Sequence, residues 1–148
     1  MKPHPSAAGV MGYMACAALL TACSASSLSA GLEGPLLVSQ GSWDAAMTAA
    51  IGGPLAEVGA CIGIGESMVV WPDGVGWDEE SQSLVLADGT RVALGSRVYG
   101  GGGSMPTSAI NSLFDSQAAE GLRECEVEVG AEVMVFNVGG SVSSTPLP

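Results

Sequence analysis

Glycine divides this chain into short segments and so limits the secondary structure that it can form. The sequence has 22 glycines among 148 residues. Glycine destabilises the interior of a helix, but it is common in tight turns, in β-bulges and at bends in strands. Only seven residues are Phe, Tyr or Trp, so the core must consist mainly of aliphatic side chains. These features favour a domain of short strands over a bundle of long helices.

The segment SLVLADGTRVALG, residues 83–95, carries the clearest local signal. Two alternating apolar runs flank Asp88-Gly89, and this pattern predicts a β-hairpin with a type I′ turn. Further strands are predicted in three apolar runs: ACIGIG, SMVVWP and EVMVFNV. The run that ends at Pro72 is typical of a strand near the edge of a sheet, because proline lacks the backbone N–H.

Two segments are harder to interpret. Trp43, Met47 and Ile51 have helical spacing, but the following Gly-Gly-Pro suits a bent strand, and we favour the strand. The run YGGGGSMPTS lacks the lysine and the spacing of a phosphate-binding P-loop, so we expect a mobile loop that joins a strand to a helix. One short helix is predicted to follow it, capped by Thr107 or Ser108 and ending at Asp115.

Six or so short strands and one short helix predict a mainly β domain. The expected architecture is a small closed or partly open β-barrel, similar to an OB fold, or a small sandwich. The chain is long enough for one domain of ordinary size. We assign that domain to residues 43–138 and a polar C-terminal tail to residues 139–148.

The first 22 residues have the three-part layout of a secretory signal peptide. Lys2 precedes an apolar run from Ala7 to Leu20, small residues follow, and no acidic residue occurs before Glu33. The apolar run is shorter than the roughly 20 residues that a membrane-spanning helix needs. We therefore predict that the protein is exported.

The predicted signal ends in Leu20-Thr21-Ala22-Cys23, which resembles the lipobox of bacterial lipoproteins. The resemblance implies cleavage before Cys23, a diacylglycerol on its thiol, and anchoring on the extracytoplasmic side of the cell membrane. Residues 23–42 would then be a flexible tether, in which Leu36-Leu37-Val38 could dock as an edge strand. Two alternatives are ordinary signal cleavage nearby and a disulfide at Cys23.

The remaining cysteines form a predicted disulfide. Cys16 leaves with the signal and Cys23 takes the lipid, so Cys61 and Cys125 are left as an even pair in an exported chain. Oxidising compartments favour a bond between them.

Charge and composition exclude several functions. After Cys23 the chain has 15 acidic residues and three arginines, a net charge of −12 that makes binding to nucleic acid improbable. The single histidine, His4, and the single lysine lie in the predicted signal. Nucleophiles activated by histidine, zinc held by histidine and Schiff-base catalysis are therefore excluded. We predict that the protein is not an enzyme.

The segment WPDGVGWDEE is a candidate binding loop. The residues concerned are Trp71, Asp73, Trp77, Asp78, Glu79 and Glu80. Calcium takes oxygen ligands of this kind, but their spacing is not that of an EF-hand, so we predict solvated acids and no metal or cofactor. The two tryptophans would be either core residues, which we favour, or an exposed platform for a partner.

These observations together predict a lipid-anchored, non-catalytic binding module. Its partners would be the membrane, through the anchor, and a protein or small ligand. One alternative is an accessory or inhibitory subunit of a membrane complex. The other is a small enzyme that uses carboxylates.

Overall fold

The computed structural model describes residues 28–43 and 45–148. The predicted signal peptide, the lipobox-like sequence and Cys23 lie outside the described residues. Within them, neither helix has the length and hydrophobicity required to span a membrane.

The described residues form eleven strands and two helices, and strands predominate, at 48% against 13% for helices. The first strands are β1 Ser29–Glu33, β2 Leu36–Gln40, β3 Ala49–Val58, β4 Cys61–Ile64, β5 Met68–Trp71 and β6 Gly76–Asp78. They are followed by β7 Ser83–Val85, β8 Arg91–Ala93, β9 Arg97–Pro106, α1 Thr107–Leu113, α2 Ser116–Glu124, β10 Glu132–Phe136 and β11 Val142–Ser143. The prediction of a mainly β fold is confirmed.

Eight strands form one mixed sheet in the order β1-β2-β5-β10-β9-β3-β4, with β11 paired to β9. Strand β5 is parallel to both of its neighbours, and the other pairs are antiparallel. Strand β3 pairs with β9 through its first part and with β4 through its second part. The order has two ends, β1 and β4, so the sheet is open. Strands β6, β7 and β8 form a separate small sheet.

Hydrophobic side chains on the two faces of the large sheet form two cores. Met68 and Val70 of β5 contribute to a core shared with both helices, whereas Val69 and Trp71 contribute to a core shared with β4 and the small sheet. This division follows from the alternation of side chains along a strand. The fold therefore has three layers: helices, the large sheet, and the small sheet together with the β3–β4 hairpin.

The prediction that the run ending at Pro72 lies near an edge is wrong. Strand β5 lies inside the sheet, between β2 and β10, and all four of its residues are buried. When a strand is buried on both faces of a sheet, its sequence is a continuous apolar run, as is common in parallel strands. Pro72 follows the last paired residue, so its missing N–H costs no hydrogen bond within the sheet.

Most of residues 28–42, predicted as part of a tether, belong to the sheet. They form the β1–β2 hairpin, and β2 pairs with β5, so Leu36-Leu37-Val38 is not an edge strand. Leu36 and Val38 are buried in one core and Leu37 in the other. Burial of this apolar run on both faces explains why the segment is ordered despite its small, polar neighbours.

Two helices occupy the region where one was predicted. The backbone is extended at Phe114 and Asp115 between them, and the N–H of Asp115 donates to the carbonyl of Leu28 at 2.8 Å. The predicted caps are also wrong, since Pro106 precedes α1 and the hydroxyl of Thr107 accepts a hydrogen bond from the N–H of Gly130. Helix α2 was missed because two of its three buried residues, Ala118 and Gly121, are small, and only Leu122 is a large apolar residue.

The glycine run was predicted to be a mobile loop, but it is part of β9, between β3 and β10. The absence of side chains lets neighbouring groups approach the strand. A Cβ atom on Gly100 would lie 2.5 Å from Cε1 of Phe136, and one on Gly102 would overlap the carbonyl oxygen of Val135. The glycines of this run therefore allow neighbouring groups to pack closely against β9.

The hairpin around Asp88-Gly89 is confirmed, with β7 paired to β8. Its turn differs from the prediction, because Leu86 pairs with Thr90 and encloses a three-residue loop. A type I′ turn requires positive φ at two residues, whereas in this loop only Gly89 has one, at 86°. Asp88 stabilises the loop by accepting the N–H of Thr90 at 2.8 Å.

Candidate functional site

The two tryptophans of the predicted binding loop have different environments. Trp71 is fully buried, and its indole N–H donates to the carbonyl oxygen of Ile62 at 3.0 Å. It is a core residue and offers no surface to a partner. Trp77 lies on β6 and is half-buried. It packs against the second core with part of its indole facing solvent.

Three of the four acids of the loop, Asp73, Asp78 and Glu79, accept hydrogen bonds from different donors. Asp73 accepts the N–H of Gly74, and Asp78 accepts the Nε–H of Arg91 at 3.0 Å. Hydrogen bonds from Ser81 and Arg91 lower the pKa of the Asp78 carboxyl, because they favour its ionised form. Within the described residues, no group of three His, Cys, Asp or Glu side chains is arranged to hold a metal ion. These acids therefore do not form a common centre.

A groove of about 250 Å³ brings part of the loop together with residues that are distant in sequence. It lies between the β3–β4 hairpin and the small sheet. Its lining residues are Pro35, Glu57, Gly59, Ala60, Cys61, Ile62, Trp77, Glu79 and Gln82. Two of the predicted loop residues, Trp77 and Glu79, therefore contribute to one surface.

The carboxylate of Glu79 is held by a donor on each oxygen. The indole N–H of Trp77 donates to Oε2 at 3.0 Å, and the amide of Gln82 donates to Oε1 at 3.2 Å. The same amide also donates to the carbonyl of Glu79 at 2.8 Å. Gln82 itself has a φ of 50°, a left-handed conformation that costs about 1–3 kcal/mol outside glycine. The result is an exposed anionic group with a fixed orientation.

The opposite wall of the groove is held by the disulfide. Cys61 and Cys125 are bonded, with their Cα atoms 5.1 Å apart, which confirms the predicted pair. The bond ties the start of β4 to the end of α2, beside the turn at Gly59. A Cβ atom on Gly59 would overlap the carbonyl oxygen of Cys125. Glu57 on β3 is thus presented to the groove by a hairpin that is fixed at its turn.

Sequence reasoning missed Glu57 and Gln82. Gly59-Ala60 lies between two apolar runs, and this short loop with a glycine could have predicted the β3–β4 hairpin that carries Glu57. For Gln82 no local pattern indicated a role, because its importance lies in a hydrogen bond to Glu79 and in its backbone conformation.

A wider depression of about 390 Å³ lies between the β1–β2 hairpin and α2. Glu33, Glu120 and Glu124 line it together with Gln40 and Gln117. Glu120 already binds Arg123, at 3.0 Å. The depression offers negative charge but no aromatic surface, so the groove beside Trp77 is the more specific candidate.

The groove has the chemistry of a site for a positively charged group. Carboxylates at Glu57 and Glu79 supply negative charge, and the face of an indole attracts cations through its quadrupole. No protein-family model, no curated protein and no solved structure matches this chain.

Proposed function

We propose that this protein is a lipid-anchored, extracytoplasmic binding module, and that the groove beside Trp77 receives a positively charged group of its partner. Lysine and arginine side chains of another protein are the cations that fit this role. The module acts by binding and not by catalysis.

The location is supported by two features that are independent of each other. The Leu20-Thr21-Ala22-Cys23 sequence resembles a lipobox and follows a segment with the layout of a signal peptide. The bond between Cys61 and Cys125 is of a kind that persists in oxidising compartments and is rare in the cytosol.

The observation that carries the binding role is the orientation of Glu79 by Trp77 and Gln82. A carboxylate that is held in place before binding loses little entropy when a cation arrives. The net charge adds a long-range contribution, because 15 acidic residues against three arginines after Cys23 attract cationic partners and accelerate their association.

The test uses the indole N–H signals of the three tryptophans in a ¹⁵N NMR spectrum of the full chain. The probe is N-acetyl-argininamide, which carries one positive charge and no carboxylate. We expect a saturable shift of the Trp77 signal. The Trp71 signal should not move, because its indole is buried and bonded to Ile62.

The variant Glu79→Gln keeps the size of the side chain and removes its charge, so the affinity for the probe should fall about tenfold, equivalent to about 1.4 kcal/mol. Glu80→Gln is the matched control, since Glu80 is adjacent and exposed but does not line the groove. Equal affinities in the two variants, or equal shifts of all three indole signals, would contradict the proposal.

A further inference from the structure

The three arginines of the described chain differ in their partners. Arg91 binds Asp78 and Arg123 binds Glu120, each at 3.0 Å. Within the described residues, no carboxylate lies within 4.0 Å of Arg97. Among the described residues, Arg97 is thus the arginine whose guanidinium forms no ion pair, in a chain with 15 acidic residues.

Arg97 is oriented by Tyr99, two residues further along β9 and on the same face of the sheet. The Nε–H of Arg97 donates to the phenolic oxygen at 3.2 Å, and the guanidinium carbon lies 5.9 Å from the centre of the ring. A guanidinium has five N–H donors, and this bond uses one of them. The terminal nitrogens present the planar fork that matches the two oxygens of a carboxylate.

Arg97 and Tyr99 line a cavity of about 250 Å³ whose other walls are mainly apolar. The remaining lining residues are Ala50, Ile51, Gly52, Pro146 and Leu147. Gly52 pairs with Tyr99 across the sheet, and a Cβ atom there would come within 3.0 Å of the tyrosine ring. The atom nearest to such a Cβ would be the carbonyl oxygen of Val98, at 2.4 Å, so the close approach of β3 and β9 at this wall of the cavity requires glycine. Leu147, on the opposite wall, is 47% exposed.

We propose that this cavity is a binding site for a carboxylate that carries a short apolar group. Arg97 binds the carboxylate, and the walls formed by Ile51, Pro146 and Leu147 bury the apolar part. The volume is below the roughly 300–1,000 Å³ of sites that enclose drug-sized ligands, so the ligand is a small acid or the end of a polypeptide chain. The site is separate from the groove beside Trp77 and has the opposite charge preference, so neither proposal depends on the other.

The test uses the Nε–Hε signals of the arginine side chains in a ¹⁵N NMR spectrum of the full chain in detergent. The sequence contains only three arginines, so each signal is assigned with one variant. N-acetyl-leucine, which has a carboxylate and an isobutyl group, is the probe. We expect it to shift the Arg97 signal in a saturable way and to leave the signals of Arg91 and Arg123 in place. N-acetyl-leucinamide, which lacks the charge, should shift none of them.

Variants separate the contributions of charge and geometry. Affinity is followed through the methyl signals of Leu147, which remain when Arg97 is replaced. Arg97→Gln should weaken binding of N-acetyl-leucine about tenfold or more, corresponding to about 1.4 kcal/mol. Arg97→Lys should weaken it less, because the charge remains while the fork is lost. Arg123→Gln removes an exposed arginine on another face and should leave the affinity unchanged.

Two further probes distinguish the source of the carboxylate. Tighter binding of N-acetyl-leucine than of 4-methylpentanoate, which has the same apolar group and no amide, supports the end of a polypeptide chain. Equal binding supports a free acid. Unchanged affinity in Arg97→Gln, equal binding of the amide, or equally strong binding of inorganic phosphate would overturn the proposal.

Discussion

The indole ring of Trp71 stacks on the phenyl ring of Phe136, with the ring centroids 5.4 Å apart and the planes inclined by 24°. At the same time its N–H donates to the carbonyl oxygen of Ile62 at 3.0 Å. One side chain thus joins β5, β10 and β4. It connects the centre of the large sheet to the hairpin that forms one wall of the groove beside Trp77.

Trp71→Phe should lower the free energy of unfolding by about 2–6 kcal/mol. The change leaves a small cavity and removes the donor to the buried carbonyl of Ile62, and each effect costs about 1–3 kcal/mol. Chemical denaturation measures the difference. Trp77→Phe, at a half-exposed position, is the control and should cost less than 1 kcal/mol or so. Similar losses in both variants would show that Trp71 does not have this connecting role.

Gly100→Ala should destabilise the protein by about 1–3 kcal/mol, the usual cost of adding a methyl group to a packed core. The new Cβ would lie 2.5 Å from the ring of Phe136 and 3.0 Å from the carbonyl oxygen of Ser141. Gly76→Ala is a matched control in β6, because a Cβ atom there meets nothing within 4 Å. Thermal melts of the two variants should therefore differ by several degrees. A stable Gly100→Ala variant would mean that the glycine run is not needed for close packing.

Cys61 and Cys125 should resist alkylation unless a reductant is added, because the bonded sulfur atoms carry no free thiol. The bond closes a loop of 64 residues, so its loss should cost about 4 kcal/mol in the chain-entropy model. The double variant Cys61→Ala/Cys125→Ala should unfold at a lower denaturant concentration than the oxidised wild type. Reductant should shift only the wild type. Alkylation of both thiols without reductant would refute the bond.

Cys23→Ala should move the protein out of the detergent phase in a phase-separation experiment, whereas the wild type should partition into it. A single acyl chain holds a protein only marginally at a membrane, but a diacylglycerol anchors it stably. Identical fractionation of the two proteins would make the resemblance to a lipobox incidental.

Asp78→Asn should reduce thermal stability at neutral pH and have less effect in acid. Hydrogen bonds from Ser81 and the guanidinium of Arg91 lower the pKa of Asp78 in the folded protein. Because the pKa is lower in the folded protein than in the unfolded chain, the ionised carboxylate stabilises the fold at pH values above the pKa of the unfolded chain. This stabilisation is lost as the pH falls through the pKa of the folded protein. The difference in melting temperature between wild type and variant should therefore shrink below about pH 4.

Asp73→Asn is the comparison for this experiment, since among the described residues Asp73 accepts a hydrogen bond only from its neighbour Gly74. It should follow the wild type more closely at every pH. A difference between wild type and Asp78→Asn that stays constant from neutral pH into acid would rule out the bond to Arg91 as its source.

Several features of the fold could be predicted from the sequence because their causes are local. Asp88-Gly89 between alternating runs was sufficient for the β7–β8 hairpin, and the apolar runs at β4 and β10 were recognised as strands. The even pair Cys61 and Cys125 was found by counting cysteines. For the groove, the loop segment supplied Trp77 and Glu79 but also Trp71, which belongs to the core.

Other features were decided only by tertiary contacts. The glycine run becomes part of β9 because β3 and β10 pair with it on both sides and Phe136 fills the space that side chains would occupy. The small residues near Leu37 are ordered because β2 pairs with β5, a strand more than 30 residues away in sequence. A pattern within a few neighbours carries no information on such pairing.

The groove beside Trp77 also has some features that follow from the sequence and others that only tertiary contacts decide. Sequence alone placed an indole and several carboxylates in one segment, which determined the kind of chemistry available near Trp77. The tertiary structure decided which of them meet: the small sheet turns Glu79 towards the β3–β4 hairpin, and the disulfide fixes that hairpin from the other side. The sequence specifies which residue types are present. The distance between Glu57 and Trp77 depends on how the two sheets pack, and that packing is determined by the whole fold.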